Sequence, residues 1–226
     1  MLKYLYIVLL CFISFNIPVN SQAPDKKKGK FLFSLGMGIE YSSTPSYTEY
    51  LRNELALSSR DSIKTFSTGI EFFGSFEYGF TNTISGKIDY SYYLRSNNYT
   101  ISYYVFDYTI KSHQPYAMVF YNSINKNFSF KIGAGAGYHF QVLENNISSI
   151  NTLTYTSSGP ALKGEVIFAP KFSPMLETYI SGFFFGTTTT PLKDGNGNVL
   201  KSTTGEEVKL GSFGVGARLG LSFYLN

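Results

Sequence analysis

Cysteine is almost absent from this chain: its 226 residues contain one, Cys11. That residue lies in the apolar N-terminal run, so the rest of the chain can form no internal disulfide and offers no thiol to a metal. Histidine is scarce too. His113 and His139 are the two present, and neither has neighbours at a spacing that suggests metal ligation. No stretch of about 20 apolar residues occurs outside the N-terminus, which excludes spanning helices. It does not exclude spanning strands, whose one-sided apolar pattern brings the mean hydropathy near zero, here -0.04. Charged residues make up 15% of the chain, and much of the net +4 sits in Lys26, Lys27, Lys28 and Lys30. So short a run reads as a solvated tail, because a nucleic-acid surface needs basic residues interleaved with stacking aromatics. Two motifs fail on spacing. The glycines of GAGAG at 133–137 lack the helix and spacing of a dinucleotide fingerprint. In DGNGN, Asp194, Asn196 and Asn198 alternate as in a calcium loop, but Val199 and Gly205 occupy the places of its glycine and glutamate. A hairpin turn is expected there.

What the chain has is aromatic residues, 18% of the total, set in a two-residue period. In residues 128–142, FSFKIGAGAGYHFQV, the even positions run Phe128, Phe130, Ile132, Ala134, Ala136, Tyr138, Phe140, Val142, and the odd positions are Ser, Lys, Gly, His and Gln. Successive strand side chains point to opposite faces, so one face is bulky and apolar and the other small or polar. Packing decides which is inside: an eight-stranded barrel has an interior barely wide enough for side chains. Strand upon strand of Phe, Tyr and Ile would overfill it, whereas Gly, Ser and a few charges fit. The expected fold is therefore all-β, an antiparallel up-and-down transmembrane barrel of about eight strands, with the apolar face toward lipid.

The same alternation predicts strands at 30–42, 64–78, 83–95, from about 103 to 122, 128–142, 161–172, 175–189 and 207–225. Phe73 is an inward exception in the second. In the fourth, Phe106, Tyr108, Ile110, Tyr116, Met118 and Phe120 are expected outward, with Ser112 and Gln114 spoiling that face and a bulge at Pro115. The run Phe183, Phe184, Phe185 leaves the phase of the seventh open. Three short turns alternate with four longer connections, 43–63, 96–102, 143–160 and 190–206, which predicts periplasmic turns and external loops. Ser46 and Glu49 have capping-box spacing, consistent with a short helix in the first loop. Lys3, the apolar run Leu5 to Phe15, Pro18 and Ser21 have the layout of a secretory signal peptide. The expected organisation is signal peptide 1–21, with cleavage after Ala23 as the alternative, basic tail 22–29 and barrel 30–226, in the cell outer membrane.

The signal, FSLGMGIEYS in the first strand, FKIGAGAGYHF in the middle and FGVGARLGLSFYLN at the end make the chain resemble the small eight-stranded outer-membrane barrels of the OmpA/OmpX-like porin superfamily, particularly the bacteroidete-type outer-membrane β-barrel and PorT-like proteins. The resemblance covers the whole chain beyond the signal. It implies contact with outer-membrane lipid and lipopolysaccharide, insertion by the barrel-insertion machinery, and members ranging from structural barrels to adhesins and secretion accessories. Such chains commonly end on an aromatic residue; this one ends Tyr224, Leu225, Asn226, with Phe223 as the substitute.

The function expected is a non-enzymatic barrel, a monomer without cofactor or metal, whose loops contact a surface ligand or protein and whose lumen is too filled for a broad pore. A lipid-modifying enzyme is the alternative, with His139 the residue to test, and a PorT-like secretion accessory is another. A soluble lipocalin-like carrier would need the apolar face inside. The candidate site is a set of lumen charges: Glu71, Asp89, Glu165 and Arg218 near mid-height, with Lys87 and Lys131 below them. Burying these is costly unless opposite signs pair or water reaches them, and both outcomes are open from sequence.

Overall fold

In a computed structural model the two-residue period becomes eight strands: β1 (Phe31–Ser43), β2 (Phe66–Gly79), β3 (Ile84–Ile101), β4 (Tyr104–Ile124), β5 (Phe128–Ile147), β6 (Asn151–Pro170), β7 (Leu176–Thr187) and β8 (Ser212–Leu225). One helix, α1 (Pro45–Glu54), joins β1 toward β2. The structure describes residues 31–54, 66–101, 104–147 and 151–225; the expected signal peptide and basic tail lie outside them. Every neighbouring pair is antiparallel, and β8 closes on β1 from Phe31↔Leu225 to Ser43↔Phe213, giving a closed barrel in sequence order. Closure leaves no sheet edge within the apolar zone, the condition for strands to cross a bilayer.

The outward face is a lipid face. On β1, Phe31, Phe33, Leu35, Met37, Ile39 and Tyr41 are 39% to 59% exposed, while Ser34, Glu40 and Ser42 between them are buried. From Phe31 to Tyr41 is roughly 33 Å of strand, or about 25 Å of height at the usual tilt, which matches the apolar band of an outer-membrane barrel. Phe80, Tyr121 and Phe172 ring the short-turn end of the band, and Tyr41, Tyr90 and Tyr138 the other.

β4 corrects the expected phase. Tyr108, Ile110, Tyr116, Met118 and Phe120 all point inward and are at most 4% exposed, and Val119 and Tyr121 take the lipid side; the side chain of Phe106 lies outside the described residues. Ser112 and Gln114 do not interrupt an outward face; they are lumen residues on the same inward face. No bulge forms at Pro115: β4 keeps one register with β5 on both sides of it, His113↔Phe140 and Tyr116↔Gly137. On β7, Phe184 faces lipid while Phe183 and Phe185 turn inward.

The lumen takes these aromatics because glycines on the adjacent strand face them. Phe73 pairs with Gly36, Phe120 with Gly133, Met118 with Gly135, Tyr116 with Gly137, Phe183 with Gly216 and Phe185 with Gly214. In each pair a Cβ on the glycine would come within 3 Å of the facing side chain. The expectation that bulky side chains must stay outside therefore fails locally: a strand of glycines makes room for its neighbour's rings.

Strand length is uneven. β3 to β6 run 18 to 21 residues and the other four 12 to 14. Two expected loops, 96–102 and 143–160, are thus largely ladder: β3 pairs with β4 up to Ile101↔Tyr104, and β5 with β6 up to Ile147↔Asn151. These four strands form a wall rising beyond the apolar band on one side. The two remaining connections fold against that wall. α1 begins with Pro45 at its first turn, a position where the missing N–H is no loss. The capping box does not organise the helix start as expected, since Ser46 Oγ accepts the Lys209 N–H from the other connection (3.1 Å).

Candidate functional site: a lumen ion-pair network beneath an apolar cap

At mid-height three cations and three anions meet. Arg218, on β8, spans the lumen: its Nε and Nη2 donate to Glu71 Oε2 and Oε1 (2.9 and 2.5 Å), and its Nη1 donates to both Asp89 oxygens (3.0 and 2.9 Å). Nη1 also stands 3.6 Å from Glu165 Oε1. Lys87 donates to Glu165 Oε2 (2.5 Å) and to the Tyr179 hydroxyl (2.9 Å), and Lys163 donates to Asp89 Oδ2 (3.1 Å). The Tyr179 and Ser181 hydroxyls donate to Glu165 Oε1 (2.6 and 2.8 Å). The planar guanidinium fork is what allows one residue to grip two carboxylates at once.

The inward aromatics complete this hub. The Arg218 guanidinium lies 4.7 Å from the Phe73 ring centre and 5.0 Å from that of Phe183, Lys87 Nζ lies 4.7 Å from Phe120, and Lys163 Nζ lies 4.4 Å from Phe183. Each cation is therefore balanced by carboxylates at its edge and by ring faces around it, which offsets the desolvation of these buried groups. Gly38, beside Arg218 on β1, keeps the crossing open: a Cβ there would stand 3.0 Å from Arg218 Cγ and 3.1 Å from Glu71 Oε2.

Of the six residues selected from sequence, Glu71, Lys87, Asp89, Glu165 and Arg218 share this hub. Lys131 does not. It pairs with Glu77 (2.8 Å) toward the short-turn end, where Ser85 also donates to Glu77. Lys163 and Glu77 belong with the set and were not in it, although each sits on the inward phase of its strand. The missing signal was contact between strands distant in sequence, which periodicity does not carry.

The other end of the lumen is closed by a second device. Tyr47 and Leu51 of α1 pack with Tyr108, Ile110 and Leu143 of the wall and with Leu192, Val208 and Leu210 of the segment 188–211. That segment is also laced to β6, with reciprocal bonds between Thr156 and Lys193 and a bond from Thr190 N–H to Ser158 O. Loop 190–206 is therefore held against the barrel through Leu192, and its turns stand in solvent. In one of them Asn198 Nδ2 donates to Asp194 Oδ2, the backbone N–H groups of Asn198 and Asn196 donate to Oδ1, and Gly197 takes φ 85°; these bonds, the Asn198 side chain's first, hold the carboxyl below the usual range. Such a turn is a hairpin tip, not a cation loop.

A closed eight-stranded barrel, a charged lumen and a mouth covered by its own loops specify one architecture. The fold is that of the small outer-membrane barrels. The outer-membrane protein OprG of Pseudomonas aeruginosa superposes with a TM-score of 0.55 at 14% identity, covering 88% of this chain and 97% of that one. Neisserial surface protein A superposes with a TM-score of 0.50 at 13% identity, covering 87% and 97%. The sequence matches no protein-family model and no curated protein. At these identities the likeness carries the fold alone.

Between hub and cap lies a narrow polar cavity lined by Glu40, Arg95, Gln114, His139 and Gln141. His139 is buried, with Nε2 2.6 Å from the Tyr116 hydroxyl. His113, at an odd position that the expected phase of β4 turned inward, is instead on the outer face, where Nδ1 meets the Tyr90 hydroxyl at 2.6 Å. Among the described residues no group of three metal-ligating side chains forms.

Proposed function

We propose that this chain is a non-enzymatic outer-membrane protein of the bacteroidete-type barrel group that it resembles, reaching the membrane after loss of residues 1–21 and acting through the long-loop end in structural or adhesive contacts. The observation that carries the reading is double closure. The ion-pair hub fills mid-height and the apolar cap fills the mouth, so the molecule offers its partners a surface and gives solutes no passage. The wall of β3 to β6 supplies that surface, since it extends the barrel beyond the bilayer as a rigid sheet.

Two measurements test this. In a planar bilayer the unmutated protein gives no large, stable single-channel conductance; a steady open level would overturn the closed-lumen reading. Expression leaves the lipid profile of the host membrane unchanged, and so do His139→Ala and His113→Ala. A new acylated or deacylated lipid that disappears in either variant would establish the enzymatic alternative.

A further inference from the structure

We infer that the outward face of the wall formed by β3 to β6 is a docking face for the neutral saccharide portion of the glycolipid in the surrounding outer leaflet. The inference rests on the long-loop end facing out of the cell, as proposed above, and adds an occupant for a face that the adhesive reading leaves unassigned.

The apolar band thins out above Tyr90, His113, Tyr138 and Phe140, with Leu94 and Val142 its last apolar side chains, and beyond them the described residues of the same outward face are polar. From Tyr138 to the top of β5 is roughly 20 Å of further height at ordinary strand rise and tilt. This face is continuous with the lipid-facing band, so whatever stands on the outer-leaflet acyl chains beside the barrel stands against it. A soluble partner would have to displace that layer to reach it.

The polar side chains pair across strands into a fixed array: Ser96 with Thr109 (3.2 Å), Lys111 with Glu144 (2.6 Å) and Asn146 with Thr152 (2.5 Å). Thr152, Thr154 and Thr156 line the outer column at every second residue of β6, all exposed. Hydroxyls and amides held at sheet spacing above a ledge of aromatic edges suit sugar hydroxyls, which need both donors and acceptors and a flat apolar contact. The charge pattern argues against phosphate as the determinant. Lys111 is engaged by Glu144, and Asp107 is the other charge on this outward face, so no excess of positive charge is presented.

The experiment uses the full-length folded protein in detergent micelles and reads the midpoint of heat-induced unfolding by the gel mobility shift. Three probes are added separately: lipopolysaccharide carrying its core sugars, lipid A from the same source without them, and phosphatidylglycerol. Binding to the folded state raises the midpoint, and the core-bearing lipid is expected to raise it about 3 °C more than lipid A, a difference near 1 kcal/mol for a chain of this size. The triple variant Thr152→Ala, Thr154→Ala, Thr156→Ala keeps its midpoint in phosphatidylglycerol and loses that difference. Should the triple variant fold poorly, Asn146→Ala is read the same way. Equal shifts from core-bearing lipid and lipid A on the unmutated protein, or a variant that folds and keeps the full difference, overturn the inference. Neither outcome bears on bilayer conductance, so the closed-lumen reading stands or falls separately.

Discussion

Phe120 on β4 faces Gly133 on β5 across the ladder, so closely that a Cβ on Gly133 would stand 2.6 Å from the phenyl ring. The ring fills the space that the glycine leaves, and its face in turn meets Lys87 of the charge hub. One glycine thereby links backbone packing at the barrel wall to the neutralisation of a buried cation.

Glycine replacements should separate by neighbour, not by strand. At Gly135 a Cβ would stand 2.1 Å from the Ala117 carbonyl oxygen and 2.6 Å from Met118 Cα. Both are backbone atoms that cannot turn away. Gly135→Ala is expected to destabilise the barrel by about 1–3 kcal/mol or more. Gly182→Ala, whose nearest contact is the Gly216 oxygen at 4.0 Å, should be close to neutral. Urea unfolding in micelles measures both, and equal midpoints would refute the packing account.

Arg218→Ala leaves Glu71 without its fork partner and weakens the hold on Asp89 and Glu165. Removing one member of a buried pair costs about 3–5 kcal/mol, so the heat-induced mobility shift should come at a markedly lower temperature, with small-ion leakage rising in bilayers. Arg218→Lys keeps the charge and loses the bidentate geometry, and it should fall between. A wild-type midpoint in Arg218→Ala would show that water, and not Arg218, compensates these carboxylates.

Leu210 is fully buried in the cap, away from the lipid band. Leu210→Ala should cost about 2–5 kcal/mol of local stability. Faster hydrogen exchange is expected at the Leu192 and Val208 amides, which are bonded to Val208 O and Leu200 O within the same segment, while the barrel's own midpoint holds. A parallel fall in that midpoint would mean that cap and barrel unfold as one unit.

The orientation has a direct test. On intact cells a membrane-impermeant maleimide should label Asn196→Cys, at the exposed tip of the long connection, and leave Asn82→Cys, in the short turn between β2 and β3, unmodified. The reverse labelling would turn the barrel over and move the glycolipid face to the wrong leaflet.

Much of this was legible from residue order, for a definite reason. Where a strand has lipid on one side and small or charged residues on the other, as with Phe31 to Tyr41 or Phe213 to Leu225, the period of two carries the face, and short turns such as Gly79 to Asn82 carry the reversal. The reading failed on β4 because both of its faces hold large side chains. Ser112 and Gln114 marked the inward phase, and glycines 133, 135 and 137 on the next strand marked space needing to be filled, but the two signals belong to different strands and must be combined. The wall was likewise missed because its upper residues are polar on the outward face, and Asn, Ser and Thr in series look the same in a loop as in a strand standing clear of the bilayer.

The sequence by itself determined a barrel with a lipid face and a charged lumen, since a period of two is a local property that survives without knowledge of neighbours. Only the tertiary structure decided that Arg218 joins Glu71, Asp89 and Glu165, that Lys163 enters the hub while Lys131 pairs with Glu77, and that α1 and segment 188–211 close the mouth. Those contacts join residues up to 163 positions apart, and their partners follow from strand register and barrel closure. A one-residue slip would carry each charge to the opposite face.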